Sequence, residues 1–420
     1  MKVCIRTVGC RTNKADSAEM ARKLREGGVD VVDVEGDADW VVVNSCTVTR
    51  AADRDTRAEA YRARRRARSP KVLVVGCLPA AQGTDAEWAD GQTTLVADRD
   101  EAVALILDAA GGPRGPTVGA VAPPTTRHYI KVQEGCDLRC RYCIVPDARG
   151  SARSIPLDEV IRAVRRAEVT GTRDIVLTGT HVGRWGEDLA PPQDLASLVS
   201  RVAAAAGPST RFRLSSLEPQ DCGPGILDVL VPPLCPHLHL PLQGGTDTLL
   251  GRMGRPYRTR EFAALVAAAR CRHGALLSIG ADVIAGFPGE TDAEFEAGLA
   301  FVESLDLSYL HVFTYSPRPG TPAAADPHPV PPAFARERTR RLRAVGEEKR
   351  AAFAAAMVGR SLAVFIEGPA EQTGEVRGLT ENFLRATVRG WDLRAGEWAR
   401  IRVDGAVRGI LTGASTDQCV

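Results

Sequence analysis

The chain has 420 residues, 44% of them hydrophobic and 25% charged, and a formal net charge of +2. This length exceeds one ordinary core and predicts two or three domains, and the composition is that of a globular protein rather than a disordered or fibrous one. Because the net charge is close to zero, the overall charge alone cannot account for binding to nucleic acid. A surface that binds nucleic acid would have to be a local cluster of positive charge.

The N-terminus lacks a secretory layout and no apolar run reaches transmembrane length, so we expect a cytoplasmic protein with no membrane partner. The chain contains eleven cysteines. Because the cytoplasm keeps thiols reduced, their first interpretation is metal binding or redox chemistry rather than disulfides.

The N-terminal segment, 1–110, repeats one pattern three times: an apolar, β-branched run that ends in a cysteine, followed by a helical pattern. The runs end at Cys10, Cys46 and Cys77. Such units predict a parallel α/β sheet, in which ligands sit outside the carboxyl ends of the strands. The topology therefore brings three distant thiols to one crevice. The alternative is that they are buried small residues at strand ends.

Residues 111–126 are rich in Gly and Pro and predict a linker. Residues 127–315 predict six strand–helix units, which suggests an open, partial (βα)6 barrel with its active site at the carboxyl ends of the strands. The predicted strands are HYIKVQ, DIVLTG, RFRLSS, HLHLPL, LSIGADVIAGF and YLHVFTY.

A Pro-rich loop and an Arg-rich helix over about residues 333–356 follow the predicted barrel. The C-terminal remainder of the chain then shows five short strands separated by Gly-containing turns. This pattern predicts a small β-barrel.

Cys136, Cys140 and Cys143 form Cys-x3-Cys-x2-Cys directly after the first barrel strand. Three thiolates hold three irons of a 4Fe–4S cluster and leave one iron open. The spacing resembles the signature of radical S-adenosylmethionine (SAM) enzymes, which bind SAM at that iron. The alternative is a structural zinc site, which usually needs four ligands. No fourth Cys or His stands at such a spacing.

Ten segments of the first two predicted domains together resemble the radical SAM methylthiotransferase family. They are TVGCRTNKADSAE, VVNSCTVT, VVGCLPA, EGCDLRCRYCIVPDARGSARS, LTGTHVG, RLSSLEP, HLHLPLQGGTD, MGRPY, DVIAGFPGET and TYSPRPGTPA. The branch that modifies threonylcarbamoyladenosine at tRNA position 37 is the most similar. RLSSLEP, the HLHLPLQ run and IVPDARGSARS favour that branch. GCRTNKAD departs from its usual residues after the first cysteine.

The resemblance implies an N-terminal domain over 1–112 with an auxiliary 4Fe–4S cluster on Cys10, Cys46 and Cys77. It also implies a radical SAM core over 125–356, with the SAM-binding cluster on Cys136, Cys140 and Cys143, and a TRAM-like RNA-binding domain over 358–418. One SAM would methylate sulfur at the auxiliary cluster, and a second would yield the radical that activates carbon 2 of the adenine. The implied partners are the tRNA anticodon stem-loop, an electron donor such as flavodoxin or ferredoxin, and a sulfur donor.

Further SAM contacts are expected at the strand ends, with a turn or N-cap role as the alternative for each. The candidates are Tyr142, Thr178, Gly179, Ser216, Glu218, Gln243, Ala285, Gly286 and Phe287. Beyond the two cysteine sets, no catalytic residue is proposed.

His237 and His239 alternate along one predicted strand and so share a face, where buried, satisfied histidines are more common than metal ligands. His181 follows the second barrel strand and is a further candidate for contacting SAM or substrate. The remaining cysteines, which lack ligand spacing, are Cys4, Cys222, Cys235, Cys271 and Cys419.

Two regions are candidates for RNA contact. The helix after Cys46 is rich in arginine, which either meets phosphates or forms a solvated face. In the last domain Phe383, Trp391 and Trp398 either stack on bases or are buried. Two other functions stay open: the same chemistry on isopentenyladenosine in tRNA or on a ribosomal protein or peptide, and a non-catalytic iron–sulfur protein that binds RNA or carries electrons.

Overall fold

The computed structural model describes residues 1–33, 35–66, 69–84, 88–89, 91–112, 127–370, 374–390 and 393–416. Most of the predicted linker, together with Trp391 and Cys419, lies outside these described residues. Within them the chain forms three structural units that follow one another in sequence.

The N-terminal unit is a five-stranded parallel sheet in the order β2-β1-β3-β4-β5. Its elements are β1 (Lys2–Thr7), α1 (Arg11–Glu26), β2 (Asp30–Val32), β3 (Trp40–Ser45), α2 (Arg50–Arg64), β4 (Lys71–Gly76), α3 (Cys77–Gln82), β5 (Thr93–Val96) and α4 (Arg99–Ala109). The valine-rich strands β3 and β4 are buried on both faces, as expected for a parallel sheet covered by helices. Because β1, β3 and β4 are neighbours, the three cysteines after them share one edge.

The central unit is an open barrel of six parallel strands. Its elements are β6 (His128–Glu134), α5 (Val145–Arg149), β7 (Arg153–Ser154), α6 (Leu157–Val169), β8 (Asp174–Gly179), α7 (Leu195–Ala205), β9 (Arg211–Leu214), α8 (Pro224–Val229), β10 (His237–His239), α9 (Asp247–Met253), α10 (Thr259–His273), β11 (Ser278–Ala285), α11 (Asp292–Ser304), β12 (Tyr309–Thr314) and α12 (Pro332–Ala355). Strands β6, β8 and β9 pair in parallel, as do β10, β11 and β12. A parallel bridge between Phe212 and Leu234 joins the two groups.

Side-chain caps set the starts of several helices. Thr49, Asp98, Asp194 and Thr246 each accept a hydrogen bond from a backbone N–H in the first turn of α2, α4, α7 and α9. Thr291 and Glu294 form a capping box at α11. Such caps satisfy N–H groups that have no partner inside the helix, so they fix where each helix begins.

The N-terminal unit covers part of the central barrel, because α1 packs against β6 and β8. An ion pair of 2.7 Å between Asp16 of α1 and Lys131 of β6 ties the two surfaces together. The first turn of α1 carries Arg11 and Asn13, so the residues next to Cys10 lie between the two units.

The C-terminal unit is a closed five-stranded barrel in the order β13-β14-β15-β17-β16. Its strands are β13 (Ser361–Pro369), β14 (Glu375–Thr380), β15 (Arg385–Arg389), β16 (Trp398–Val407) and β17 (Ile410–Ser415). Alternate residues of β13, including Leu362, Val364 and Ile366, fill its core. The predicted fold class, with a parallel α/β unit, a partial barrel and a small β-barrel, is confirmed. No helix of the described residues combines the length and the hydropathy needed to cross a membrane.

Candidate active site

The N-terminal cysteine set is Cys10, Cys46 and Cys77, and two of its thiols lie near the side chain of Asn13. The Cys10 and Cys77 thiols lie 3.8 and 4.0 Å from the Asn13 Oδ1. The Asn13 amide nitrogen donates to the carbonyls of Val8 and Ser45, at 2.6 and 2.8 Å. Asn13 therefore links the carboxyl ends of β1 and β3, where the loops that carry Cys10 and Cys46 begin.

The loops of Cys10 and Cys46 approach so closely that only glycine fits between them. Gly9 has a φ of +99°, and a Cβ there would lie 2.3 Å from the Cys46 Cβ and 2.6 Å from its Sγ. Burial raises the pKa of Cys46 to about 12, and the nearby thiols of Cys10 and Cys77 add to that increase. Three crowded thiolates repel one another, so this donor set fits a cationic metal centre.

Two arginines approach the N-terminal set. Arg99 places its Nη2 3.7 Å from the Cys77 Sγ. Arg149 of α5 donates to Asn13 and to Asp16, the latter at 2.9 Å. Burial opposes the charge of Arg149, but Cys77, Asp16 and Cys10 keep its pKa above the ordinary value. An arginine of the central unit is therefore part of the site in the N-terminal unit.

Cys136, Cys140 and Cys143, the central cysteine set, lie in the loop between β6 and α5. Burial raises the pKa of Cys143 to about 12, with further contributions from Cys140 and Cys136. These three thiols therefore also form a crowded donor set that a metal cation would stabilise.

The central set has its own charged neighbours. Arg255 donates to the Cys140 Sγ at 3.2 Å and forms an ion pair with Glu218. The His181 Nδ1 lies 3.6 Å from the Cys136 Sγ, and its Nε2 lies 2.6 Å from an Asp221 carboxylate oxygen. Hydrogen bonds to cluster sulfurs are among the factors that set reduction potentials, so both pairs are placed to influence a cluster here.

The two sets lie on adjoining elements. Helix α3 begins at Cys77 and packs against α5, which begins two residues after Cys143. A second link is Arg318, which donates to Thr47 at 2.8 Å and to Asp53 at 2.7 Å. Because Thr47 follows Cys46 directly, Arg318 connects the loop that carries Cys46 to the loop after β12.

The predicted SAM contacts lie at the carboxyl ends of the barrel strands, around the central set. Thr178 is buried and its hydroxyl has no hydrogen-bond partner, and the same is true of the neighbouring Thr180 and Ser215 hydroxyls. Buried polar groups normally have partners. Unpaired hydroxyls at two adjoining strand ends therefore fit a site whose polar ligand would supply them.

Two aromatic candidates pack together on one side of this region. Tyr142 and Phe287 meet edge to face, with ring centroids 6.4 Å apart. Glu218 is already paired with Arg255, so a contact between Glu218 and a ribose would share that carboxylate. Ser216 is exposed, and Gln243 adopts a φ of +65° after β10.

The remaining candidates are small residues whose neighbours account for their size. A Cβ at Gly179 would lie 2.7 Å from the Gln133 carbonyl oxygen, and one at Gly286 would lie 2.5 Å from the Ala335 Cβ. Ala285 is fully buried and its carbonyl accepts from the backbone of Tyr315. At Gly286 the missing side chain thus makes room for α12, which is a reason independent of adenine binding.

His237 and His239 share a face of β10, as predicted, and both approach the Tyr309 hydroxyl, at 2.8 and 3.0 Å. His239 is satisfied, because its Nε2 also lies 2.8 Å from Asp282. His237 is different: its Nδ1 is buried without a partner, which corrects the prediction that both histidines are satisfied. His239, Asp282 and His311 are close enough to share a metal ion, although their mutual hydrogen bonds already explain the grouping.

The two predicted RNA surfaces are partly used inside the protein. In α2, Arg62 pairs with Glu59, and Arg57 and Arg64 lie over aromatic rings. Trp398 donates its indole N–H to the Arg173 carbonyl at 2.9 Å, and Phe383 stacks on His237 at 4.2 Å. Both aromatic side chains therefore face the central unit and not the interior of their own barrel.

Sequence reasoning passed over four side chains that the structure places at the site: Asn13, Arg149, Arg255 and Arg318. Each stands inside one of the quoted motifs, namely TNKAD, PDARG, MGRPY and SPRPG. The available signal was a charged or amide residue at a fixed offset from a cysteine or a strand end. Nothing in the sequence indicated which thiol or carboxylate each would meet.

Comparison with known families finds matches within the first two structural units. Residues 2–98 match the model described as "Uncharacterized protein family UPF0004", and residues 130–302 match the model of the Radical SAM superfamily. The first match contains the N-terminal cysteine set and the second contains the central set.

Curated relatives match over nearly the whole chain. A protein of Thermotoga maritima named threonylcarbamoyladenosine tRNA methylthiotransferase is 32% identical, over 96% of this chain and 94% of its own. One from Bacillus subtilis with the same name is 31% identical over 96% and 93%. A Cereibacter sphaeroides protein named tRNA-2-methylthio-N(6)-dimethylallyladenosine synthase is also 32% identical, over 98% of each chain.

Solved structures with low sequence identity share the fold. The radical SAM methyltransferase TsrM from Kitasatospora setae, with cobalamin and a 4Fe–4S cluster bound, superposes with a TM-score of 0.56. It is 15% identical and covers 77% of each chain. The cobalamin-dependent radical SAM enzyme OxsB gives a TM-score of 0.50 at 11% identity, over 77% of this chain and 54% of its own.

Proposed function

This chain belongs to the radical SAM methylthiotransferase family, and from that premise we propose that it adds a methylthio group to carbon 2 of N6-threonylcarbamoyladenosine at position 37 of tRNA. It is an enzyme of the transferase class that uses SAM and two 4Fe–4S clusters. The observation that carries the proposal is the pair of cysteine trios on adjoining elements, α3 and the loop before α5. One trio alone would support SAM cleavage without a place for the sulfur.

We assign the auxiliary cluster to Cys10, Cys46 and Cys77, and the SAM-binding cluster to Cys136, Cys140 and Cys143. When bound, these groups supply the electron that cleaves SAM and the sulfur that is transferred. The matching domain assignments are 1–112 for the methylthiotransferase N-terminal domain, 125–356 for the radical SAM core and 358–418 for a TRAM-like RNA-binding domain. The separate packing of the three structural units supports these boundaries.

The protein's own side chains hold and shield the two centres. Arg255 places a cation against Cys140 and is itself held by Glu218. Arg149 and Asn13 occupy the space between the N-terminal set and α5. The Cys46, Cys77 and Cys140 thiols are buried, so each set has at least one thiol covered by protein.

For SAM we retain the strand-end candidates Tyr142, Thr178, Gly179, Ser216, Glu218, Gln243, Ala285, Gly286 and Phe287. The unpaired hydroxyl of Thr178 supports its assignment most directly. The electron donor, flavodoxin or ferredoxin, the sulfur donor, the anticodon stem-loop as the docked part of tRNA, and a cytoplasmic location complete the proposal.

Isopentenyladenosine in tRNA is the second candidate substrate. Relatives named for dimethylallyladenosine are as similar to this chain as those named for threonylcarbamoyladenosine, at 32% identity in both cases. Overall identity therefore does not choose between the two adenosines.

A direct comparison of tRNA substrates tests the proposal. The anaerobically reconstituted enzyme is supplied with SAM, reductant and either threonylcarbamoyladenosine tRNA or isopentenyladenosine tRNA, and the digested nucleosides are analysed by mass spectrometry. We expect the methylthio product from the first tRNA and little from the second. Product from isopentenyladenosine tRNA alone would replace the proposed substrate, and 5′-deoxyadenosine without either product would indicate a target outside these tRNAs.

A further inference from the structure

A small, partly enclosed cavity lies on the floor of the central barrel, near the beginnings of β6 and β10. The first turn of α1 and the turn between β14 and β15 close it. Its volume is about 40 Å³. The residues that line it include Arg11, Arg127, Tyr129, Arg213, His237 and Phe383. All three structural units thus contribute to this floor cavity.

The floor cavity has one excess positive charge. The Arg213 Nε lies 3.1 Å from both oxygens of Asp174, and Arg127 lies 3.7 Å from Glu367. Arg11 is the exception, because it has no ion pair with any described residue; its guanidinium carbon lies 5.6 Å from the centroid of the Phe383 ring. A cation held at a cavity wall without a counter-ion favours an anionic ligand.

His237 provides a second and independent sign of a ligand. It is 1% exposed, burial lowers its pKa well below the usual range, and its Nδ1 has no partner. The His239 Nδ1 lies 3.0 Å from the Tyr309 hydroxyl and its Nε2 lies 2.8 Å from Asp282. The His237 Nε2 lies 2.8 Å from the same hydroxyl, so of the four ring nitrogens of these two histidines only the His237 Nδ1 is open to a ligand.

The size of the cavity sets the size of the group it can hold. One water needs roughly 10–15 Å³ of such space, so about 40 Å³ has room for about three heavy atoms. A carboxylate group has three. Arg11 directly follows Cys10, so one wall of the cavity adjoins the N-terminal cysteine set.

We infer that the floor cavity binds the carboxylate end of the N6 substituent of the substrate adenosine, with Arg11 as its counter-ion and His237 lining the same cavity. This inference rests on the proposed function and deepens it. The threonylcarbamoyl group carries both a carboxylate and a hydroxyl, whereas an isopentenyl group carries neither. Arg11 is then a residue that determines substrate specificity.

Binding measurements with matched RNAs test this assignment independently of turnover. The reconstituted holoenzyme is titrated with fluorescent anticodon stem-loops that carry threonylcarbamoyladenosine, its carboxamide analogue, or unmodified adenosine. We expect the wild type to bind the carboxylate about tenfold more tightly than the carboxamide, the effect of one charged hydrogen bond. We expect Arg11→Gln to reduce that preference to about twofold or less while its affinity for the unmodified RNA stays the same.

Three controls accompany the titration. Arg11→Lys keeps a cation and should retain part of the preference. Arg162→Gln changes an arginine on the outer face of α6, paired with Asp158, and should retain all of it. Iron content is measured for each variant because Arg11 adjoins a proposed cluster ligand.

The outcomes separate the two claims. If Arg11→Gln keeps the tenfold preference, or if the wild type shows none, the inference is overturned even when the enzyme methylthiolates threonylcarbamoyladenosine. If the wild type methylthiolates only isopentenyladenosine, the proposed function and the inference are overturned together.

Discussion

The two cysteine sets reach similar chemistry by different structural routes. The central set lies within one loop, from Cys136 to Cys143, so the spacing of neighbouring residues is enough to assemble it. The N-terminal set extends from Cys10 to Cys77 and is assembled only because β1, β3 and β4 are adjacent in a parallel sheet. The first is a property of a local segment and the second is a property of the fold.

The side chains around the sets differ in the same way. The central set receives Arg255 and His181 from its own barrel. The N-terminal set receives Arg149 from the neighbouring unit, and its Cys46 loop is held by Arg318 of that unit. The N-terminal site is therefore complete only when both units are docked, which makes it the more vulnerable of the two.

The largest expected effects come from deleting each trio. The variant with alanine at 136, 140 and 143 should form no 5′-deoxyadenosine from SAM and no methylthio product. The variant with alanine at 10, 46 and 77 should still cleave SAM but insert no sulfur. Each variant should load about four irons, where the wild type loads about eight. Liquid chromatography with mass spectrometry and iron analysis measure these quantities.

Full methylthiolation by the variant with alanine at 10, 46 and 77 would show that the auxiliary cluster is not needed. The proposed difference in role between the two cysteine sets would then be wrong. Loss of SAM cleavage in that variant would instead show that the two sites cannot load independently. Far-ultraviolet circular dichroism of each apo-protein checks that the fold is retained.

The thiol pKa values predict the next largest effect, in the metal-free protein. Raising a thiol pKa from 9.0 to about 12, as at Cys46 and Cys143, lowers the thiolate fraction at pH 8 by about 10³. Iodoacetamide should therefore modify the exposed Cys10 before Cys46 and Cys143. Peptide mass spectrometry over time gives the order, and equal rates for Cys10 and Cys46 would contradict the buried arrangement.

The same shifts give a direction for stability. A thiol whose pKa is higher in the folded state than in the unfolded state holds its proton longer when folded. The unfolded chain then releases protons first as the pH rises, so the apo-protein should lose stability progressively above about pH 9. Below pH 9 both states keep the proton and these two thiols add no pH dependence. Urea unfolding at a series of pH values measures the trend.

The fold could be predicted largely from the sequence because its signals are local or periodic. Strand runs such as DWVVVNSC and KVLVVGC, each followed by a helical pattern, specify a parallel sheet whose carboxyl ends share an edge. The six barrel strands were placed in the same way. Thus the positions of Cys10, Cys46 and Cys77 at one edge followed from pattern and topology together.

The contacts between units could not be predicted. Arg318 meets Asp53 although the two are far apart in the sequence, and no periodicity encodes such a pair. The unpaired Nδ1 of His237 is a similar case, because alternation gives the face of a strand but not the partner of each atom. Aromatic residues such as Phe383 could be noted as candidates, but the surface that each would meet depends on how the C-terminal unit docks.

Arg318 offers the third test, because it acts on one set only. Replacing it by Met removes the ion pair of Asp53 in a site where both side chains are largely buried, which should lower the free energy of unfolding by about 3 kcal/mol. The iron lost should come from the N-terminal set, so SAM cleavage should be retained better than sulfur insertion. Urea unfolding and iron analysis measure both, with Arg162→Met on the outer face of α6 as the control.

The smallest effects are expected from the arginines that touch one thiol in each set. The Arg255 guanidinium lies 3.2 Å from the Cys140 Sγ and its side chain is 2% exposed, whereas Arg99 lies 3.7 Å from the Cys77 Sγ and is 15% exposed. Loss of a side chain that contacts a metal ligand typically weakens metal binding about 10- to 100-fold. The contact of Arg255 is shorter and less exposed, so its loss should have the larger effect. We therefore expect Arg255→Met to release iron to a chelator about tenfold faster than the wild type, and Arg99→Met to accelerate release less. Arg255→Lys keeps the charge and should recover part of the loss, whereas a larger effect at Arg99 would show that the N-terminal set depends on its nearest cation more than on the docking of the two units.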